Sequence, residues 1–170
     1  TLTLLNLGGG LPARYRTPVP PLARYVDTME KALHARFGAS QPDLMIEPGR
    51  HLAGDAGILR STVLLISHRG GRDTRRWVYL DAGRYNGLPE TLQEAIHYPI
   101  RTPRTGPGEA AVLAGPTCDS TDIIYDRVAT PLPLDLCIGD TVDFLSAGAY
   151  TASYASVEFN GFAPIKTYCI

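Results

Sequence analysis

Lysine, cysteine and long apolar runs are all scarce in this sequence. Lysine occurs only at Lys31 and Lys166, although arginine occurs 14 times. Basic and acidic residues nearly balance, at 16 against 17, so there is no basic field to displace the counterions of a nucleic acid. The three cysteines, Cys118, Cys137 and Cys169, are too few and too far apart for a disulfide framework or a zinc site. A reduced, cytoplasmic setting with no metal is the expectation. No apolar run approaches the ~20 residues that span a bilayer, and no charged-then-apolar signal segment opens the chain, so no membrane partner is expected.

What is present suits a packed core. Hydrophobic residues make up 44% and charged residues 19% of 170 residues, enough for one domain or one and a half. The chain opens with Thr1-Leu2-Thr3, without methionine and already inside an apolar run, which reads as the interior of a longer protein.

Leu2–Leu7 reads as a short buried strand ended by Gly8-Gly9-Gly10. After Pro20-Pro21, the spacing of Leu22, Val26, Met29, Leu33 and Phe37 predicts a helix that stops at Gly38. A strand at Leu44–Ile46 completes a strand–helix–strand unit with a parallel pair. Further on, Ile58–Ser67 and Arg76–Leu80 flank the turn cluster Gly70-Gly71-Arg72-Asp73 and suggest antiparallel pairing. Thr91–Tyr98 suggests one or two helical turns stopped by Pro99. Short strands are expected at Ala111–Leu113, Thr141–Leu145, Ser153–Val157 and Ile165–Ile170. The pattern divides the chain into an α/β part, residues 1–57, and a β-rich part, residues 58–170, whose last strand crosses back toward the first part.

Five short motifs carry candidate chemistry. Gly8-Gly9-Gly10-Leu11-Pro12 follows a strand, where glycines let backbone amides approach a phosphate; taken alone, an ordinary tight turn is the simpler reading. Glu47-Pro48-Gly49-Arg50 ends a parallel strand, the edge at which α/β folds bind ligands. A carboxylate and an arginine there suit a cationic ring nitrogen and a phosphate; a Pro-Gly turn with a solvated ion pair accounts for the motif equally well. In Gly115-Pro116-Thr117-Cys118-Asp119-Ser120 a thiol adjoins a carboxylate; no Cys–His pairing accompanies it, and a structural cysteine remains open. Gly148-Ala149-Tyr150-Thr151 offers a tyrosine hydroxyl, and Glu158-Phe159-Asn160-Gly161-Phe162 offers an aromatic turn.

Taken in this order, GGG-x-P, EPGR, GPTCDSTD, GAYT and FNGF resemble the C-terminal half of the pyridoxal-phosphate-dependent ornithine/lysine/diaminopimelate decarboxylases, of the alanine-racemase-like fold group. The resemblance runs from Leu4 through Ile170, and Val78–Ile100 resembles the bacterial ornithine decarboxylase branch. It implies the last strands and helix of a (β/α)8 barrel followed by a C-terminal β-rich domain. It also implies pyridoxal 5′-phosphate, whose ring takes up the electron pair left when CO2 departs. Glu47 matches the carboxylate that keeps the pyridine nitrogen protonated. Gly8, Gly9, Gly10, Gly49 and Arg50 match phosphate-binding positions, and Tyr150 matches a tyrosine whose hydroxyl reaches that phosphate. Cys118 matches the proton donor to the substrate carbon, and Asp119 the acceptor of the substrate's distal ammonium. Phe159 resembles an interface aromatic.

In the family, Cys118 and Asp119 would reach across a homodimer interface into the partner's pocket. An aspartate after the cysteine implies ornithine, converted to putrescine and CO2. Lysine/ornithine or diaminopimelate decarboxylation, or a non-catalytic regulatory relative, are the alternatives. Where many eukaryotic relatives carry a second substrate-binding aspartate, this chain has Ala82, and Asp81 beside it is the candidate replacement. Neither Lys31 nor Lys166 matches the family's coenzyme-bearing lysine, so an N-terminal complement is expected to supply it.

Overall fold

The computed structural model describes residues 2–71 and 73–170; Thr1, and Arg72 of the expected turn cluster, lie outside the described residues. Strands β1 (Leu4–Asn6) and β2 (Asp43–Met45) form a two-stranded parallel sheet, with Leu5 opposite Leu44. Helix α1 (Leu22–Phe37) connects them. It follows Pro20-Pro21 and ends where Gly38, at a φ of 57°, turns its amide back to the His34 carbonyl. His34 and Arg36 in the last turn complement the helix dipole. Immediately after Glu47-Pro48 the chain enters a short helix α2 (Gly49–Ala53) in place of a simple Pro-Gly turn.

The second sheet has six strands: β3 (Leu59–His68), β4 (Arg76–Leu80), β5 (Ile100–Arg101), β6 (Gly108–Ala114), β7 (Ile123–Pro133) and β8 (Thr141–Phe144). Their order is β5-β8-β3-β4-β6-β7, and every pairing is antiparallel except β4 with β6. The period-2 alternation of strands places Val78, Leu80, Leu113, Val142 and Phe144 in one continuous core. Trp77, Val112 and Ala114 cover the opposite face, with Tyr79 and Ile123 against them. Arg69 lies over the Trp77 ring, 3.6 Å from its centroid, and shields that indole from water.

Several sequence expectations need correction. Ser153–Val157 is not a strand: Ala152–Tyr154 is a single 3-10 turn, and Tyr154 and Val157 stand exposed. Ile165–Ile170 alternates apolar and polar residues yet pairs with no strand; alternation alone supplies no hydrogen-bonding partner. The expected helical turns at Thr91–Tyr98 are shifted to a kinked 3-10 segment, Pro89–Glu94, in which Gln93 takes a positive φ. Strand β7, the longest at 11 residues, went unseen because Asp126, Arg127, Pro131 and Pro133 interrupt its apolar pattern. It tolerates those prolines because it is an edge strand.

The two sheets meet along a close backbone seam. Ala147 donates to the Gly57 carbonyl at 2.8 Å, and Gly148 to that of Gly54 at 2.9 Å. A Cβ at Gly148 would collide with the Ala53 carbonyl, so glycine is required there by proximity. Ala13, buried, packs against Gly54 from the other side.

Candidate active site

Two clusters of candidate residues form, one at the seam and one on the loop between β6 and β7. At the seam, parallel pairing continues past the strands: the Leu7 amide donates to the Met45 carbonyl and the Glu47 amide to that of Gly8, both at 2.8 Å. The Gly8–Gly10 loop therefore runs beside Glu47. Gly8 and Gly10 have positive φ, and a Cβ at Gly9 would lie 2.5 Å from the Glu47 carbonyl oxygen. Asn6, the polar residue ending β1, donates from Nδ2 to Glu47 Oε1 at 2.6 Å and accepts the Gly8 amide at 2.8 Å. The Gly9 and Gly10 residues are exposed, and among the described residues their amides meet no acceptor.

Arg50, on α2, is half-buried at the same place. Its Nη1 donates to Glu90 Oε2 at 2.8 Å and to the Tyr15 hydroxyl at 2.9 Å, and its Nη2 donates to Glu90 Oε1 at 2.5 Å. The Glu90 carboxylate, with Tyr15, holds the guanidinium well above its ordinary pKa. The backbone seam carries Tyr150 over it, with Arg50 Cζ 4.8 Å from the ring centroid; Tyr150 itself adopts a φ of 54°. Beneath the pair, Tyr98 is buried, packs edge-on to Tyr15 at 5.4 Å, and finds no partner for its hydroxyl among the described residues. Burial pushes the Tyr98 phenol upward, so it stays neutral.

The second cluster is built on Asp122. Its buried carboxylate accepts the Arg84 amide at 2.8 Å, the Thr117 amide at 3.1 Å and the Thr117 hydroxyl at 2.8 Å. Gly83 and Gly115 leave room for it, since a Cβ on either would collide with that carboxylate. The loop so held displays Cys118 and Asp119. Cys118 is exposed and donates to Asn160 Oδ1 at 3.3 Å. Asp119 accepts both the amide and the hydroxyl of Thr121 at 2.8 Å, which lowers its pKa from the ordinary carboxylate value. Phe159 stacks on Tyr85 at 4.3 Å, and the Tyr85 hydroxyl pairs with Thr121 Oγ1 at 2.7 Å.

Sequence-derived candidates thus divide. Gly8, Gly9, Gly10, Glu47, Gly49, Arg50 and Tyr150 come together at the seam, whereas Cys118 and Asp119 share the second loop, with Phe159 beside it on the 3-10 turn Phe159–Gly161. Among the described residues no hydrogen bond or ion pair joins the two groups. Asp81 joins neither. Its Oδ1 accepts Ser61 Oγ and the Thr62 amide, both at 2.7 Å, and so fastens β3 to the end of β4. Sequence reasoning missed Asn6, Tyr15, Glu90 and Asp122. Their available signals were a polar residue closing an apolar strand and the second acid of Asp119-Ser120-Thr121-Asp122.

This combination of a mixed six-stranded sheet with a glycine-loop and carboxylate seam places the chain in a defined class. Residues 24–148 match the family described as pyridoxal-dependent decarboxylase, C-terminal sheet domain, and the chain belongs to that family. The lysine/ornithine decarboxylase of Selenomonas ruminantium is 31% identical over 164 residues, covering 95% of this chain and 39% of that protein. The diaminopimelate decarboxylase of Bacillus subtilis (strain 168) is 31% identical over 160 residues, covering 90% of this chain and 35% of its own length. Among solved structures, lysine/ornithine decarboxylase from Vibrio vulnificus complexed with putrescine superposes with a TM-score of 0.81 at 32% identity, over 96% of this chain and 42% of that one. A complex of SrLDC with PLP and cadaverine gives a TM-score of 0.80 at 30% identity, over 96% and 41%. The chain therefore spans about two fifths of the length of these relatives. Pyridoxal phosphate is the coenzyme of the family, as the sequence resemblance implied.

The seam residues suit such a group. Unpartnered glycine amides and an arginine match a phosphate, and Glu47, with one oxygen engaged by Asn6, matches a protonated ring nitrogen.

Proposed function

We propose that this chain contributes the sheet domain and part of the coenzyme pocket of an amino-acid decarboxylase that converts L-ornithine to putrescine and CO2. The observation that carries the reading is the Asp122-held loop, which presents a free thiol and an ionised aspartate side by side. Asp119 would form a charge-assisted hydrogen bond with the terminal ammonium of a diamino acid. Cys118 would deliver a proton to the substrate carbon after CO2 leaves. At the seam, the Gly8–Gly10 loop, Gly49, Arg50 and Tyr150 would hold the coenzyme phosphate, and Glu47 would keep the ring nitrogen charged. Pyridoxal phosphate supplies the electron sink once bound.

Two structural features extend the proposal. Leu4 on β1 and Leu44 and Met45 on β2 stand open to solvent, which suits the closing segment of a (β/α)8 barrel covered by further barrel strands. Lys31 and Lys166 are both exposed and outside the seam cluster, so the lysine that anchors the coenzyme belongs to that further portion. The separation of the two clusters suits a homodimer in which Cys118 and Asp119 complete the partner's pocket. In the assembled enzyme, CO2 release from L-ornithine should exceed that from L-lysine, L-arginine and meso-diaminopimelate. Faster turnover of meso-diaminopimelate would overturn the substrate assignment.

A further inference from the structure

Glu90 lies far from the glycine loop in sequence, on the 3-10 segment of the sheet domain, yet it is the principal partner of Arg50. A guanidinium carries five N–H groups in one plane. Both Nη1 protons are engaged, one by Tyr15 and one by Glu90, and one Nη2 proton is engaged by Glu90. The remaining Nε–H and Nη2–H lie together on one edge of the plane, and among the described residues that edge has no acceptor. Such an edge is itself a two-donor fork matched to an oxyanion. Its end fork is clamped by a carboxylate, its inner Nη1–H by the Tyr15 hydroxyl, and the Tyr150 ring centroid lies 4.8 Å from Cζ, so the side chain has one orientation in which to offer the side fork.

We infer that Glu90, assisted by Tyr15, is a positioning residue that clamps Arg50 so that its Nε/Nη2 edge serves the coenzyme phosphate. The inference rests on the reading of Arg50 as a phosphate ligand and deepens it. Glu90 touches neither coenzyme nor substrate; it acts by removing the freedom that a lone arginine would lose on binding. The sheet domain thereby sets the geometry of an anion site whose other donors are the amides of the β1–α2 segment and the Tyr150 hydroxyl.

The test is equilibrium binding, by absorbance, of pyridoxal phosphate and of phosphate-free pyridoxal to the assembled enzyme and its variants. Glu90→Ala is expected to weaken pyridoxal phosphate about tenfold and to leave pyridoxal within about twofold. Arg50→Ala should weaken pyridoxal phosphate at least as much, and Arg50→Ala/Glu90→Ala should bind no worse than Arg50→Ala alone. Should Glu90→Ala fail to fold, Glu90→Gln and Tyr15→Phe carry the same test, each with a loss of about threefold confined to the phosphorylated ligand. Unchanged or tighter pyridoxal phosphate binding in the Glu90 variants, beside a weakened Arg50→Ala, would overturn the clamp while leaving Arg50 as a phosphate ligand. So would an equal loss for both ligands, which marks a merely structural role. If Arg50→Ala leaves pyridoxal phosphate binding intact, the phosphate assignment of Arg50 itself falls and the clamp falls with it.

Discussion

In the six-stranded sheet, Leu80, Leu113, Val142 and Phe144 lose all contact with water, whereas in the β1–β2 pair Leu4, Leu44 and Met45 remain 46–47% exposed. The six-stranded sheet is stabilised by its own interior; the β1–β2 pair has parallel strands with one neighbour each and little beneath them. Parallel pairs are rarely stable without cover on both faces, and a two-stranded unit is marginal at best. Its position here depends on the seam at Gly54, Gly57 and Gly148 and on the Arg50–Glu90 pair. Most of the residues proposed to hold the coenzyme, Gly8–Gly10, Glu47 and Arg50, therefore sit on the less self-sufficient region, held in place by the more robust one.

Truncation in the core should expose this contrast most strongly. Phe144→Ala, at a fully buried site on β8, should cost about 3–5 kcal/mol in urea denaturation, while Leu44→Ala on β2 should cost below about 0.5 kcal/mol. Similar losses at both sites would erase the distinction. A smaller effect should follow from attacking the seam. Gly148→Ala forces a methyl group against the Ala53 carbonyl and should destabilise by about 3 kcal/mol. Hydrogen exchange should then lose protection at Leu7 and Glu47 while the β3 and β4 amides keep theirs. The smallest effect concerns pH. Asp143, buried on β8, is held below the ordinary carboxylate range by Arg60 and then Arg101, against the opposing effect of burial. A depressed folded pKa means this contribution is complete above the unfolded value near ~3.9 and disappears as the pH falls through the folded one. Urea midpoints of the sheet should drop on acidification below about pH 4. Asp143→Asn should flatten that drop and cost about 1 kcal/mol at neutral pH, because both arginines are solvated.

The parts legible in the sequence were those written in local pattern. The period of Leu22, Val26, Met29, Leu33 and Phe37 announced α1, and the apolar run near Ile58–Ser67 announced β3, found at Leu59–His68. Strand β7 was hidden because an edge strand needs apolar residues on one face only and admits proline. Ser153–Val157 misled for the opposite reason, having suitable residues and no neighbour to pair with. At the site, glycine loops and charged motifs stood out, whereas Glu90 acquires its role only through a contact 40 residues away in sequence. Nor does the sequence show that Asp81 ties β3 to β4 through Ser61 and Thr62.

The prolines of β7 have one more consequence. Leu134 donates inward to the Pro107 carbonyl, so alternate residues point their nitrogens at β6 and those between, Pro131 and Pro133, point theirs outward. The outer rim thus lacks two successive donors at the C-terminal end of β7. A neighbouring molecule that tried to extend the sheet past this end of β7 would meet pyrrolidine rings where it needs N–H groups, which guards that margin against fibril growth.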